Sequence, residues 1–540
     1  VLTIILAILI VYFSFKSTKN FSRNRRTLIL LEDINTKEEL PILYWENTVG
    51  RNKHCDIKIN DPAISREHAV IFRRKEGWFI TDTNSKYGVF LNGEKINGKT
   101  KIFINDIITL GETSLVLKTA DQSKEISSNK EKLFKNVKPL RPGKILFFIT
   151  LLNLLFIGET FIIKPNSVIN VAFPIIIFLA TCWIFFFISK YLFSRATFEI
   201  ENLAILLISI GLNVIVNYKV ELIFSQLISI ALGMICFLFI IWFIKNPDNV
   251  KKFRLLIAII AVIFFVINLL FAKEINGSRN WISFGGLSLQ PSEFIKIAFI
   301  FVGASTLEDL QTTKNLTGFI LFSAICIGAL FLMKDFGTAC VFFVGFLVIA
   351  FMRSGSIRTL IFSCATAILG SFLVLTFKPY IKDRFAVWGH AFEYPNAAGY
   401  QQARVLSYCA SGGLFGVGLG NGYLQYIFAS MSDLMFGVIC EELGFIMAML
   451  VALTITGFAF FARGQSIKSR STFYSISSCA AAAMLIFQAA LHIFGSTDIL
   501  PLTGVTLPFV SLGGSSMISS FGLLAFIKAS DERTYAIRRN

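Results

Sequence analysis

Histidine, charge and paired cysteines are all scarce in this chain. Only 4 of its 540 residues are His, too dispersed to propose a metal cluster. There are 9 Cys, but no CxxC pair. Cys182, Cys236, Cys326, Cys340, Cys364 and Cys479 lie inside apolar runs. That spacing offers neither a zinc site nor a disulfide framework. Charged residues are 16% of the chain, and the acidic sign is the scarcer: 34 Asp and Glu against 51 Lys and Arg, a net charge of +17. Such a balance would suit nucleic acid if the cations formed a patch. Instead they cluster between apolar runs, where the positive-inside rule puts them, so nucleic acid is excluded.

Apolar residues dominate, at 54% with 57 Phe. Many runs approach or exceed the length of a spanning helix with almost no charge. Residues 1–15 (VLTIILAILIVYFSF) are apolar and are followed by Lys16, Lys19, Arg23, Arg25 and Arg26. The charges follow the run rather than precede it, which argues against a cleaved signal peptide. The expectation for 1–20 is a membrane anchor with its N-terminus outside. Residues 27–119 then alternate apolar and polar in short stretches punctuated by Gly, Asn and Asp, the pattern of a β-sandwich. Residues 120–143 are polar and basic and read as a linker.

Apolar runs return from Ile145. Spans are expected near 144–163, 168–190, 200–217, 224–244, 253–272, 293–309, 317–333, 338–352, 358–377, 434–462, 474–495 and 504–528. Alternate loops carry the cations: Lys190 and Arg195; Lys245, Lys251, Lys252 and Arg254; Lys314; Arg353 and Arg358; Arg463, Lys468 and Arg470; then Lys528, Arg533, Arg538 and Arg539. These loops should face the cytoplasm, with the β domain and the C-terminal tail. Two long outer segments, 273–292 and 378–433, are then the expected place for chemistry.

In the β region, Gly50-Arg51, Ser65-Arg66-Glu67-His68, Asp82-Thr83-Asn84-Ser85-Lys86-Tyr87-Gly88 and Asn92-Gly93 occur in order. This resembles the forkhead-associated (FHA) family, and the resemblance implies phosphothreonine reading by loops at one end of the sandwich. Arg51 offers a charge-assisted fork to phosphate, and Ser65 adds a hydrogen bond. Arg66 and Lys86 occupy contact positions of the family and could reach phosphate or only backbone. His68, Asn92 and Gly93 are expected to brace loops. Tyr87 replaces the Asn usual in the last loop, which removes an amide that often holds the bound peptide.

Residues 200–530 resemble the SEDS family (shape, elongation, division and sporulation), whose ten-span members include RodA and FtsW. Four motifs carry the likeness. The first is Asn276-Gly277-Ser278-Arg279-Asn280-Trp281-Ile282 with Gln290-Pro291-Ser292-Glu293-Phe294 and Lys296. The second is Lys334-Asp335-Phe336-Gly337-Thr338-Ala339. The third is Gly399-Tyr400-Gln401, the glycine-rich stretch Gly412 to Gly422, Asp433 and Glu441-Glu442-Leu443-Gly444. The fourth is Leu500-Pro501-Leu502-Thr503-Gly504 with Leu507-Pro508-Phe509-Val510-Ser511 and Gly513-Gly514-Ser515-Ser516. The resemblance implies polymerisation of lipid II into glycan strands, with a class B penicillin-binding transpeptidase as partner and a phosphothreonine protein from a Ser/Thr kinase pathway on the FHA side. The fold class expected is a multi-span α-helical membrane protein of the bacterial plasma membrane, a SEDS-like core plus an extra hairpin at 144–190, joined to a cytoplasmic all-β FHA sandwich.

Glycosyl transfer from a polyprenyl pyrophosphate needs a base for the acceptor hydroxyl and cations for the leaving group, with a divalent metal as an alternative source of positive charge. Arg279, Lys296, Asp335, Arg384 and Arg404 are the expected substrate-binding residues. Glu293, Asp383, Glu393 and Glu441 are the carboxylates that could act, and Trp281 is important in the family. The bland readings are an i,i+3 staple for Glu293 and Lys296, an interfacial anchor for Trp281, and a broken helix shaped by Pro508 and Gly513-Gly514. The family's outer-loop Asp, in the pattern D-P-x-G-x-G-Y-Q, is Tyr394 here, within Glu393-Tyr394-Pro395-Asn396-Ala397-Ala398-Gly399-Tyr400-Gln401. Leu512 and Met333 stand where the family usually has Tyr and Gln. Glu393 is expected to take over as the carboxylate if the core is catalytic. The competing readings are an inactive SEDS-like scaffold that recruits phosphoproteins and a lipid II transporter.

Overall fold

The computed structural model describes residues 1–19, 29–42, 46–52, 55–74, 77–119, 142–165, 168–193, 197–218, 220–245, 247–275, 278–284, 287–305, 313–354, 388–397, 399–466 and 472–531, with short pieces within 357–365 and at 469.

Residues 29–119 form two facing sheets. One has the order Glu39–Ile42, Ile29–Asp33, Thr113–Thr119, Ile107–Leu110, Val89–Leu91, Glu94–Lys95; the other runs Ile57–Lys58, Glu46–Gly50, Ala69–Arg74, Gly77–Asp82, Thr100–Ile102. Alternation decides which side chains point inward. In Ala69–Arg74, Ala69 and Ile71 enter the core that also holds Leu31, Val49, Ile80, Val89, Leu115 and Leu117. Val70 and Phe72 lie on the other face with Phe79. This domain therefore carries its own hydrophobic core.

The membrane region is built from helices. They are α1 (Leu2–Lys19), α2 (Pro142–Ile163), α3 (Val168–Phe193), α4 (Glu199–Val216), α5 (Val220–Ile244), α6 (Pro247–Phe271), α7 (Pro291–Ser305), α8 (Thr313–Leu332), α9 (Phe336–Ser354), α10 (Tyr400–Gly412), α11 (Ser430–Asp433), α12 (Met435–Leu443), α13 (Phe445–Ser466), α14 (Thr472–Ser496) and α15 (Gly514–Ala529). Among the described residues, 7 helices are long and apolar enough to cross a membrane: Pro142–Ile163, Val168–Leu192, Glu199–Val216, Val220–Ile244, Lys252–Phe271, Phe445–Ser466 and Thr472–Ser496. Leu2–Ser17, Thr317–Leu332, Phe336–Met352 and Gly514–Ala529 are shorter apolar helices. A span needs about 20 residues at about 1.5 Å each. Every residue of α4 is buried, whereas α6 turns Leu255, Ile259, Ile263 and Leu270 outward. Helix α4 is thus the centre of the bundle and α6 faces the surroundings.

Antiparallel running gives the bundle two ends. At one end Ser17 donates to Glu199, and Lys528 bonds Glu201 and the Thr197 carbonyl. The chain enters and leaves the β-sandwich from this end, through α1 and α2. The opposite end holds the three-stranded hairpin Lys273–Ile275, Ser278–Phe284, Leu287–Leu289, and the segments 388–443 and 497–513.

Two expected spans are different in the structure. The run 434–462 is not one helix: it breaks at Gly444, whose φ is +89° and whose Cβ, if present, would sit 2.4 Å from the Leu414 carbonyl oxygen. Composition could not reveal this because the residues on both sides are apolar. The run 504–528 becomes helical only from Gly514. Irregular backbone at that depth persists because protein groups satisfy it: Ser511 Oγ accepts from Leu507 N and donates to the Ser432 carbonyl, and Gly513 N donates to Gln226. The expected span 358–377 lies outside the described residues except for short pieces.

Candidate functional site

At one end of the β-sandwich a groove of about 630 Å³ is lined by Arg51, Asn52, Pro62, Ala63, Ile64, Ser65, Arg66, Glu67, Lys86 and Tyr87. All four expected phosphate ligands therefore meet in one place. Backbone geometry brings them there. Arg51 N donates to the Ser65 carbonyl and Asn52 N to the Arg66 carbonyl. Gly50 has to be glycine, since a Cβ there would lie 2.4 Å from the Arg66 oxygen. Lys86 N donates to Ser65 Oγ at 3.0 Å, so the Ser65 hydroxyl accepts from protein and keeps its proton to donate. Arg51, Arg66 and Lys86 are exposed. Three cations around one donor hydroxyl make a site for a dianion.

The bracing residues act from behind. His68, fully buried, accepts at Nδ1 from Ser65 N at 3.0 Å, and its Nε2 donates to the Gly88 carbonyl at 3.0 Å. Asn92 ties Asp106 and Ile107. The sequence did not single out Asp61. Desolvation pushes its carboxyl up, but the Ala63 amide, the Thr113 hydroxyl and the Glu112 amide outweigh this and hold it below the usual range. It fastens the start of the 61–65 loop to the neighbouring turn.

In the membrane core, hydrogen bonds join three of the four motifs. Lys296 Nζ lies 2.8 Å from Glu293 and donates to Gln488 at 2.7 Å; both members of the pair are buried. Gln488 donates in turn to the Thr506 carbonyl at 3.0 Å, and the Thr506 and Ser516 hydroxyls meet at 2.5 Å. Gln290 donates from its backbone N to Ser515 Oγ at 3.1 Å and from its side-chain amide to Asp335 at 3.4 Å. Asp335 is buried and accepts from Thr338 N. The i,i+3 geometry of Glu293 and Lys296 is present, but the pair is one link in a longer chain of polar contacts. Gln488 was missed in the sequence; a lone polar residue inside an otherwise apolar span was the available signal. His492, one turn further on α14, receives Phe436 N and donates to Val505, and had the same signal.

The remaining residues are spread along the same end. Arg279 is exposed on the hairpin, where its amide bonds the Met333 carbonyl beside Asp335. Trp281 is half-buried on the same strand. Arg404 is exposed on α10 with its guanidinium 5.4 Å from the Tyr400 ring centre. Glu393 is exposed and pairs with His390 at 2.9 Å; Tyr394 beside it is 49% exposed. Their loop is fastened by Asp498, which accepts from Gly389 and Ala391 amides, and by Trp388, which donates to the Ile499 carbonyl. Asp383 and Arg384 lie outside the described residues. Glu441 is wholly engaged, its carboxylate accepting Tyr423 N at 2.7 Å and Leu424 N at 2.9 Å, so it stands as a loop organiser. Among the described residues no group of three or more His, Cys, Asp and Glu could hold a metal.

Fold and sites together define a polytopic membrane protein with a phosphate-reading type of β-sandwich at its N-terminal side. A family model described as "Cell cycle protein", covering FtsW, RodA and SpoVE, matches residues 199–535, and an FHA domain model matches 47–111. The chain belongs to the FtsW/RodA/SpoVE family and carries an FHA domain. Peptidoglycan glycosyltransferase RodA of Mycobacterium leprae is 28% identical over 323 residues, which cover 56% of this chain and 68% of that one. A probable peptidoglycan glycosyltransferase FtsW of Buchnera aphidicola is 31% identical over 289 residues, covering 52% and 72%. Stage V sporulation protein E of Bacillus subtilis is 30% identical over 317 residues, covering 55% and 84%. A solved peptidoglycan synthase complex, described as coordinating polymerization and crosslinking, shares the fold: 61% of this chain and 96% of that one superpose with a TM-score of 0.52 at 23% identity. This is a bacterial membrane protein of the family to which those peptidoglycan glycosyltransferases belong.

Proposed function

We propose that the chain polymerises lipid II into glycan strands outside the cell, and that its FHA domain couples this activity to phosphothreonine signals inside. The observation that carries the reading is the chain of polar contacts from Lys296 through Gln488 to Thr506 and Ser516, with Gln290 alongside joining Ser515 to Asp335. Three separate motifs converge there at the end of the bundle opposite the FHA attachment. Buried ionisable groups at membrane depth are costly and are kept for function. Basic loops at the FHA end support a cytoplasmic FHA domain. The polar end then meets lipid II, and Arg279 and Arg404, exposed at that end, are suited to its pyrophosphate. A class B transpeptidase would be the partner that crosslinks the product.

Glu393 takes the role of outer-loop base in this reading. It is solvent-exposed and reaches a neighbouring His390, which could relay a proton. A phenol at position 394 is a poor base, with an unperturbed pKa near about 10. One observation favours a second reading, a scaffold without turnover: the Glu393 carboxylate makes its contact with His390 and not with the buried polar chain. Purified protein and lipid II separate the two. Polymerisation that falls about 100-fold or more in Glu393→Gln supports the enzyme. An inert parent in which Tyr394→Asp creates activity supports the scaffold. Parent activity that survives Glu393→Gln moves the base to Asp383 or Glu293.

A further inference from the structure

Helices α2 and α3 precede the family match, which begins at residue 199. Both are peripheral, with 39% of each span buried. Their turn nevertheless reaches the glycine-rich loop of the core. Lys164 Nζ donates to the Gly420 carbonyl at 2.8 Å, and Leu419 N donates to Glu159 at 3.4 Å.

That loop has little structure of its own. Gly416, Gly418 and Gly420 have φ of +84°, +99° and +72°, which only glycine adopts readily. Its order comes from two adjacent residues around which it wraps: the Glu441 and Glu442 carbonyls accept from Val417 N and Gly418 N, and their carboxylates take three further amides. Glu441 takes the Tyr423 and Leu424 amides, and Glu442 takes the Gly420 amide at 3.1 Å. Glu441 and Glu442 are each 1% exposed. Two neighbouring buried carboxylates repel and are poorly solvated. Burial pushes the Glu442 carboxyl up to about 7, Glu441 adds to the rise, and the Lys164 charge opposes it.

The hairpin is in turn held firmly to the bundle centre. Asn153 donates to Ser209, Asn213 donates to Asn153 at 2.8 Å, and Thr160 donates to Asn217 at 3.4 Å. At the other end of α2, Asn202 donates to the Pro142 carbonyl. Polar contacts thus run along α2 from the end of the FHA linker to the loop.

We propose that Lys164, assisted by Glu159, is a positioning residue: the added hairpin supplies the cation and hydrogen bonds that fix the glycine-rich loop over Glu441 and Glu442. Its consequence for turnover rests on the polymerase reading; its consequence for loop order does not. Replacing the lysine removes its bond to the Gly420 carbonyl and the nearby positive charge on the Glu442 side, and the loop loosens.

Hydrogen exchange on the full chain in lipid nanodiscs tests this. Amides of 417–424 should exchange about tenfold faster in Lys164→Met, as expected for loss of a charge-assisted bond. Lys164→Arg should restore most of the protection. Ile162→Ala, at a position 82% exposed on the same turn, should change nothing. In the lipid II assay Lys164→Met should lower kcat/KM while the thermal midpoint stays within a few degrees. An inactive parent would sink the polymerase reading and leave the exchange result to decide this one. Unchanged exchange at 417–424 in Lys164→Met, or the same loss in Lys164→Arg, overturns the proposal. If Lys164→Met does not fold, Glu159→Gln replaces it: faster exchange confined to 417–424 supports the assignment, and parental exchange there overturns it.

Discussion

The FHA domain and the membrane core treat charge in opposite ways. Around the FHA groove Arg51, Arg66 and Lys86 are exposed. In the core, Glu293, Lys296 and Asp335 are buried and engage protein partners. Water explains the difference. A surface loop can leave cations solvated until an anion arrives, at little cost. A charge at membrane depth must be neutralised at once, because hydrocarbon offers no solvation. Recognition can therefore be open in the first region, while in the second these buried ionisable side chains already engage protein partners.

The largest way to break that contrast is to orphan a buried charge. Lys296→Ala should lower core stability by about 3–5 kcal/mol, because Glu293 is left buried and uncompensated. The double variant Glu293→Gln/Lys296→Met should recover most of the loss, read as the thermal midpoint in detergent. If Lys296→Ala melts like the parent, the pair is hydrated and the contrast fails.

Next comes the exposed fork. In the full chain, Arg51→Ala should weaken binding of a phosphothreonine peptide by about 2–5 kcal/mol and leave folding unchanged. Calorimetric titration against the phosphorylated peptide and its unphosphorylated twin checks this; equal affinity for both would make the groove a structural feature only. Ser65→Ala removes one hydroxyl donor and should cost less, about 1 kcal/mol. In the polymerisation assay, a saturating phosphothreonine peptide should change the rate of the parent and not of Arg51→Ala. No change in either would uncouple the two regions.

The smallest effect sharpens the picture of the loop behind the groove. The Asp61 carboxyl is held below its ordinary value by the amides and hydroxyl it accepts. A depressed carboxyl stabilises the fold above its unfolded pKa and loses that contribution as pH falls through the lower, folded value. Asp61→Asn should therefore be slightly less stable at neutral pH and closer to the parent in acid. Denaturant midpoints of the FHA transition at the two pH values read the difference directly.

Local pattern carried much of this architecture. Alternation in stretches such as AVIFRR is enough to name strands, because period 2 divides the side chains between core and solvent. Long apolar runs name candidate spans. The residues that line the FHA groove were legible because such a groove is a handful of charged and turn residues at fixed spacing. Harder to read were positions whose meaning depends on a distant neighbour. Gly444 breaks the run 434–462 because the Leu414 carbonyl approaches it. Gln488 matters because Lys296 lies opposite it. Glu441 resembled a catalytic carboxylate until the Tyr423 and Leu424 amides were found on it.

The sequence by itself determined the two-part organisation, the family, the residue types gathered at the FHA groove and the Tyr394 that stands where the family pattern has Asp, since each is a matter of residue type and spacing along the chain. The tertiary structure alone decided that Glu293, Lys296, Gln488, Thr506 and Ser516 form one chain of contacts, that Glu393 pairs with His390, and that Lys164 reaches Gly420. These are contacts between residues as far as 256 positions apart. Hydrophobic period reports which face of a helix is buried, but the partner on the other side is chosen by packing, and packing depends on the whole bundle.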